Sequence, residues 1–157
     1  MVGTTNKYVY DRPVPVSRVV QQPTWLLSRA NARAQGLLYT AFAEEGLRPV
    51  HYRALAALDE HGEMSQAELG RQLGLDRKDV TVALDHLADW RLVRRRPDPA
   101  DGRRNVVTLT TSGRELLPRL DSLLGDVQEQ VLGPLSADQR ALLVSLLARL
   151  DDTSPSS

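Results

Sequence analysis

A mainly α-helical fold carrying one small β-hairpin is what this sequence predicts, from three observations. Apolar residues recur at helical spacing along most of the chain. Ser, Asp and Thr stand where helices should begin, and Gly or Pro where they should end. Only between Leu92 and Leu109 does the pattern shorten into two runs rich in Val, Leu and Thr around a turn.

Residues 1–20 carry Gly3, Pro13 and Pro15 with no sustained period and are expected to form a flexible arm. The first helix is expected from Thr24, with Pro23 in its first turn and a stripe of Trp25, Leu26, Ala30, Ala34, Leu37, Leu38 and Ala41, ending near Glu45-Gly46. The second runs from Pro49 to His61, with Tyr52, Leu55, Ala56 and Leu58 on one side and Gly62 as its stop. Ser65-Gln66-Ala67-Glu68 is a capping box, in which the Ser hydroxyl and Glu carboxylate each satisfy an orphan backbone donor. That helix is short, because Gly74 follows soon after Leu69 and Leu73. Asp76 caps the next helix, whose Val80, Leu84 and Leu87 return at helical spacing as a buried face. Two capped helices separated by a short glycine-containing turn make a helix-turn-helix.

Beyond Trp90, Leu92 to Arg96 and Asn105 to Leu109 read as strands joined by the turn residues Pro97 to Arg103. A hairpin placed after a helix-turn-helix is a wing. Thr110 then caps a long helix carrying Leu116, Leu117, Leu120, Leu123, Leu124, Val127 and Val131, in which Pro118 should introduce a kink. Gly133-Pro134 breaks the chain, and Ser136 with Gln139 forms another capping box for a last helix bearing Leu142, Leu143, Leu146, Leu147 and Leu150.

Composition excludes several functions. The 157 residues are 41% hydrophobic and 25% charged, enough for a single folded domain. No cysteine is present, which removes disulfides, Cys-based zinc sites and thiol redox switching. His51, His61 and His86 have neither i,i+4 pairing nor an Asp/Glu cluster of metal-binding type, so neither metal nor cofactor is expected. No G-x-S-x-G, H-E-x-x-H, Walker or dinucleotide-binding glycine pattern occurs, and the chain is expected not to be an enzyme. With no membrane-length apolar run and no secretory h-region in Met1 to Val20, a cytoplasmic location away from membranes is expected.

The formal net charge of +0 hides segregation. Between Arg91 and Arg104 six arginines face two aspartates, a net +4, whereas Asp121 to Asp152 holds six acids and two arginines, a net −4. The hairpin is thus a positive pole, and a wing tipped with arginine suits a phosphate backbone or a narrow minor groove. Off the buried face of the helix capped by Asp76 lie Arg77, Lys78, Thr81 and Val82. Arg77 or Lys78 is placed to bond guanine, and Thr81 or Val82 to touch a thymine methyl.

The order of elements, with Leu73-Gly74-Leu75-Asp76-Arg77, Asp85-x-Leu87, Leu92-Val93, Asp98-Pro99-Ala100-Asp101-Gly102-Arg103 and Leu109-Thr110-x-x-Gly113-Arg114, resembles the multiple-antibiotic-resistance regulator (MarR) family of bacterial winged helix-turn-helix regulators. The resemblance runs from about Trp25 to Leu150. It implies a single domain over 21–152, with dimerisation helices at 21–46 and 111–151, the winged helix-turn-helix at 47–110, and a disordered tail at 153–157. Its expected function is that of a homodimeric repressor, ligand-responsive, bound to double-stranded DNA at an inverted repeat. Expected DNA contacts are Ser65, Gln66, Arg77, Lys78, Thr81, Val82, Arg95, Arg96, Asp101, Arg103 and Arg104, with Asp101 orienting the Arg103 guanidinium. The dimer interface is expected at Leu142, Leu143, Leu146, Leu147 and Leu150, whose arc is too broad for one short neighbour to cover. A pocket for a small aromatic or phenolic anion is expected around Trp25, Arg29, His51, Tyr52 and Arg53. The alternative is a winged-helix dimer that contacts protein or RNA without an operator.

Four positions depart from the family's pattern. Lys78 and Asp79 occupy positions where Ser and Thr are frequent, and Val82 one where Arg is frequent. Arg91 replaces a glycine that closes the recognition helix in a left-handed conformation, which strains any residue with a Cβ.

Overall fold

The computed structural model describes residues 17–151. The expected arm lies outside the described residues up to position 16, as does the expected tail at 153–157. Ser17–Val20, assigned to the arm on sequence, forms a single helical turn (α1), and Gln22 closes onto the Val19 carbonyl. The chain's contacts divide it into two units, up to Arg33 and from Ala34.

In the first unit lie α1 and the opening half of α2 (Pro23–Glu44). Pro23 sits at the first helical position, where its missing N–H costs nothing. Four residues separate Trp25 from Arg29, so the two share a helix face, and the guanidinium lies 4.8 Å from the ring centroid.

The second unit contains the rest of α2, then α3 (Pro49–His61), β1 (Met64–Ser65), α4 (Gln66–Leu73), α5 (Arg77–Asp89), β2 (Val93–Pro97), β3 (Asn105–Leu109), α6 (Thr111–Leu132) and α7 (Ala137–Leu150). Its strands form one antiparallel sheet in the order β1-β3-β2. Two residues long, β1 was not foreseen, because it exists only through pairing of Met64 with Val107 and Ser65 with Val106. The core gathers Phe42 from α2, Leu55 and Leu58 from α3, Leu69 from α4, Leu84 and Leu87 from α5, Val107 from β3 and Leu120 from α6. Each fully buried side chain of this size contributes about 1.5 to 3 kcal/mol of transfer free energy.

The caps follow the sequence closely. Ser65 Oγ accepts from the Glu68 N–H while Glu68 accepts from the Ser65 N–H, Asp76 accepts from Asp79, Thr110 from Gly113 and Ser136 from Gln139. Helix α6 continues unbroken through Pro118.

Arg91 has φ 58°, alone among the described non-glycine residues in that region. It therefore keeps the left-handed closure that glycine would adopt freely, at a strain cost on the order of 1 kcal/mol. What the closure secures is the wing's base. Trp90, just before it, stacks on His86, which stacks on the buried His51, and Trp90 also lies against Gly46, where a Cβ would come within 2.5 Å of the indole. After it, the Leu92 N–H returns to the Leu87 carbonyl, and the Thr110 hydroxyl donates toward the carbonyl oxygens of Arg91 and Leu92. Gly113 completes the joint, since a Cβ there would collide with the Leu92 carbonyl and with Leu109.

Candidate nucleic-acid interface

The site begins with the angle between α4 and α5. Gly74, with φ 64°, ends α4 in a left-handed turn, and Asp76 starts α5 two residues later. Val80, Ala83, Leu84 and Leu87 bury one side of α5. Opposite them, Lys78, Val82 and Asp85 fall at i, i+4 and i+7, a single exposed stripe, with Arg77 and Thr81 along its flank. A cleft of about 410 Å³ opens between α4, the start of α5 and the hairpin, lined in part by Gln66, Arg71, Arg77, Arg103, Arg104 and Asn105. Four guanidinium-bearing residues along one cleft concentrate positive charge beside the exposed helix face, an arrangement suited to phosphates.

Of the residues expected to contact DNA, Gln66, Arg77, Arg103 and Arg104 thus come together. Arg71 and Asn105 join them without having been foreseen. Arg71 carries no motif of its own, and only the fold of α4 against the hairpin reveals its place.

The wing's arginines divide into two groups. At the tip Arg103 is 97% exposed, and its side chain lies 4.0 Å from Asp101, which also accepts the Arg103 N–H and so fixes the turn. The acid thus stands beside the arginine. At the base, Arg95 pairs with Asp85 of α5 at 2.5 Å and Arg96 pairs with Glu63 at 2.9 Å. Arg104 donates to the Ser65 hydroxyl at 3.3 Å. These bonds fasten the hairpin to the helix-turn-helix, so Arg95 and Arg96 act first as braces. Arg95 also neutralises Asp85 on the exposed stripe of α5.

Ser65 is buried, and its hydroxyl donates to Glu68 while accepting from the Glu68 N–H and Arg104. Its place in the site is therefore to hold α4 and Arg104. The hydrogen bonds from Ser65 keep the Glu68 carboxyl below the usual carboxylate range, with Arg104 and Arg71 adding to the effect. Gln66 donates to Thr81 Oγ at 2.7 Å, and that hydroxyl in turn donates to the Arg77 carbonyl at 2.8 Å.

The residues expected around a small-molecule pocket are placed differently from one another. Trp25 and Arg29 face each other on α2. His51, Tyr52 and Arg53 are consecutive in a helix and so diverge by about 100° each. His51 is buried, accepts the Arg48 N–H through Nδ1 and stacks on His86. Burial, followed by the nearby His86 and Arg48, pushes its pKa down to about 4. Tyr52 donates to Asp121 of α6 at 2.8 Å, and burial together with that carboxylate pushes its phenol up to about 12. Arg53 turns to α4, with a long hydrogen bond of 3.5 Å to the Leu73 carbonyl.

The leucines expected at a dimer interface stand out of the core. None of α7's residues is buried, and Leu142, Leu146, Leu147 and Leu150 are all exposed. Arg140 ties the start of α7 to Glu129 of α6. No helix among the described residues is long and apolar enough to cross a membrane, and no group of three or more possible metal ligands occurs among them.

The geometry recurs in known proteins. A model of the MarR family matches residues 45–104. The transcriptional repressor NicR of Pseudomonas putida is 30% identical over 135 residues, covering 86% of this chain and 85% of its own. BpsR of Bordetella bronchiseptica, whose DNA binding is regulated by 6-hydroxynicotinic acid, superposes with a TM-score of 0.76 at 26% identity, over 85% of this chain and 96% of its own. A mutant MarR of Escherichia coli complexed with operator DNA gives a TM-score of 0.71 at 27% identity, over 80% of this chain and 91% of its own. With a charged cleft beside an exposed helix face, and this likeness over most of its length, the chain belongs to the MarR family and is a winged helix-turn-helix DNA-binding transcriptional regulator.

Proposed function

We propose that this regulator is a repressor that binds an inverted-repeat operator as a homodimer and leaves it when a small aromatic or phenolic acid binds. The observation that carries the DNA part is the cleft in which Arg71, Arg77, Arg103 and Arg104 flank the start of α5. Helix α5 lies in the major groove, with Arg77 or Lys78 reading a base, and Arg103 enters the neighbouring minor groove oriented by Asp101. Arg95 and Arg96 hold the hairpin at the required angle. The protein works as a binding module in the cytoplasm, without catalysing a reaction. Its domain comprises 21–152, the flanking helices serving dimerisation and 47–110 serving DNA.

Dimerisation is supported by α7, whose leucines would otherwise remain in water. A two-fold dimer places two recognition helices about one DNA turn apart, which is why the site should be an inverted repeat. The inducer reading attaches to Trp25 and Arg29, where a flat apolar ring and a cation stand together, the two features an aromatic carboxylate requires. A relative regulated by a hydroxylated aromatic acid supports that class.

The test is fluorescence anisotropy with duplex DNA from beside the protein's own gene, compared with a scrambled duplex at one salt concentration. A preference of at least about 1,000-fold is expected for the operator. Equal binding to both duplexes contradicts the reading. Titrating 6-hydroxynicotinic acid into the complex tests the inducer class, and Arg29→Ala should remove the response while leaving DNA affinity unchanged.

A further inference from the structure

The recognition helix presents two β-branched side chains next to each other, and the structure fixes what each offers to DNA. Thr81 Oγ accepts from Gln66 Nε2 at 2.7 Å and donates its own proton to the Arg77 carbonyl at 2.8 Å. The only hydrogen a hydroxyl can donate is thereby committed, and one of its two acceptor sites is filled. What remains of the side chain without a hydrogen-bonding role is the γ-methyl. Val82 is 48% exposed, in the middle of the stripe that runs from Lys78 to Asp85 and opposite the buried face of α5. A valine here stands outside the hydrophobic core, with little burial to compensate for its modest helix propensity. Asp85, the polar neighbour one turn on, is held by Arg95. The middle of the reading face is therefore apolar, between cations at its N-terminal end and a neutralised acid beyond.

An apolar surface in the major groove finds one apolar feature on the base edges, the methyl group at C5 of thymine. From this we infer that Thr81 and Val82 together read a 5-methylpyrimidine, so that the protein recognises the methyl group itself and not the hydrogen-bonding edge of the base. The inference rests on the proposed docking of α5 in the major groove and deepens it. Its chemical consequence is specific. The C5 methyl of 5-methylcytosine occupies the same place in the groove as that of thymine, so methylation of cytosine at this position should strengthen binding, with the exocyclic amine tolerated because the remaining acceptor site of the Thr81 hydroxyl is open to its N–H.

The test starts from duplexes selected out of a random pool by the full-length protein. Each thymine of the selected half-site is replaced in turn by deoxyuridine, which keeps every hydrogen bond of the base pair and removes only the methyl. Removing one methyl should weaken wild-type binding about fourfold, the equivalent of about 0.8 kcal/mol for one buried methyl-sized group, and removing it from both half-sites about 15-fold. At the sensitive position, 5-methyldeoxycytidine paired with guanine should bind more tightly than unmethylated deoxycytidine by a similar factor. Thr81→Val should keep the sensitivity, because it retains the γ-methyl and exchanges only the hydroxyl, whereas Thr81→Ser combined with Val82→Ala should lose it. Circular dichroism shows that the surface variants fold, and the duplex substitutions need no variant at all. Selection of a binding sequence in which no thymine responds to loss of its methyl would overturn this inference alone. A doubly substituted protein with undiminished methyl sensitivity would overturn it equally. Failure to select any duplex would overturn the DNA-binding reading beneath it.

Discussion

Helices α5 and α7 are built from similar residues and meet opposite fates. Both have about four turns rich in Leu, Val and Ala, and both start at a capped residue. Helix α5 buries Val80, Ala83, Leu84 and Leu87 against the winged core, whereas α7 buries none of its residues and leaves Leu150 68% exposed. The difference separates what one chain can complete alone from what it cannot. The helix-turn-helix and wing close around Leu69, Leu84, Leu87 and Val107 within a single copy, while α7 leaves its leucines uncovered, the face proposed above to pair with a second copy.

That contrast can be broken by making the same change in both helices. Leu84→Ala should cost about 2 to 5 kcal/mol of stability, because a fully buried side chain leaves a cavity. Leu150→Ala should change the unfolding free energy of the monomer by less than about 0.5 kcal/mol. Urea titrations of the two variants check this. Leu146→Asp with Leu147→Asp should leave the monomer folded and prevent association, read by light scattering against the 17.4 kDa chain mass. A wild-type protein that stays monomeric at tens of micromolar contradicts the contrast.

Acid should strike the winged core first. The folded His51 has its pKa near 4, below the ordinary 6.5, so the unfolded chain takes up a proton that the native protein refuses. The stabilising contribution of the neutral ring is complete above pH 6.5 and is lost as pH falls through the interval toward 4, by up to about 3 kcal/mol. His51→Gln retains an acceptor for the Arg48 N–H, as in a capping box, and should flatten this part of the stability profile. A slope that persists in the variant would place the titrating group elsewhere.

Within the wing the tip and the base should behave differently too. Arg103→Ala should weaken operator binding by about 1 to 3 kcal/mol and lower the salt slope by about one unit, with folding nearly intact. Asp101→Ala should give a milder form of the same defect. Arg96→Ala should cost little, within the 0.2 to 1 kcal/mol typical of exposed ion pairs, and should alter the salt slope less than Arg103→Ala does.

The sequence made the helix starts legible because a cap is a local device. Ser65 and Glu68, Asp76, Thr110, and Ser136 with Gln139 all act within three residues. The strained Arg91 was legible for a related reason, since a missing glycine marks a backbone requirement that the fold still imposes. Strand β1 was not, because its two residues owe their form to β3 more than forty positions away. The same distance hid the braces: Arg96 with Glu63 and Arg104 with Ser65 are separated by 33 and 39 residues. A run of arginines therefore looked like one uniform DNA-binding surface, when the fold makes some of them fasteners and leaves Arg103 exposed. His51, Tyr52 and Arg53 looked adjacent in sequence, but helical geometry sends them to the core, to Asp121 and to α4.

In the proposed complex two copies, joined through flanking helices, place two recognition helices on one DNA site. The most direct test of that arrangement is the affinity of the selected inverted repeat against the same duplex with one half-site scrambled, measured by anisotropy at one salt concentration. Losing one recognition helix's contacts should cost at least about 100-fold, given 1 to 3 kcal/mol for each mismatched base pair. Equal affinity for the intact and the half-scrambled duplex would contradict the dimer account.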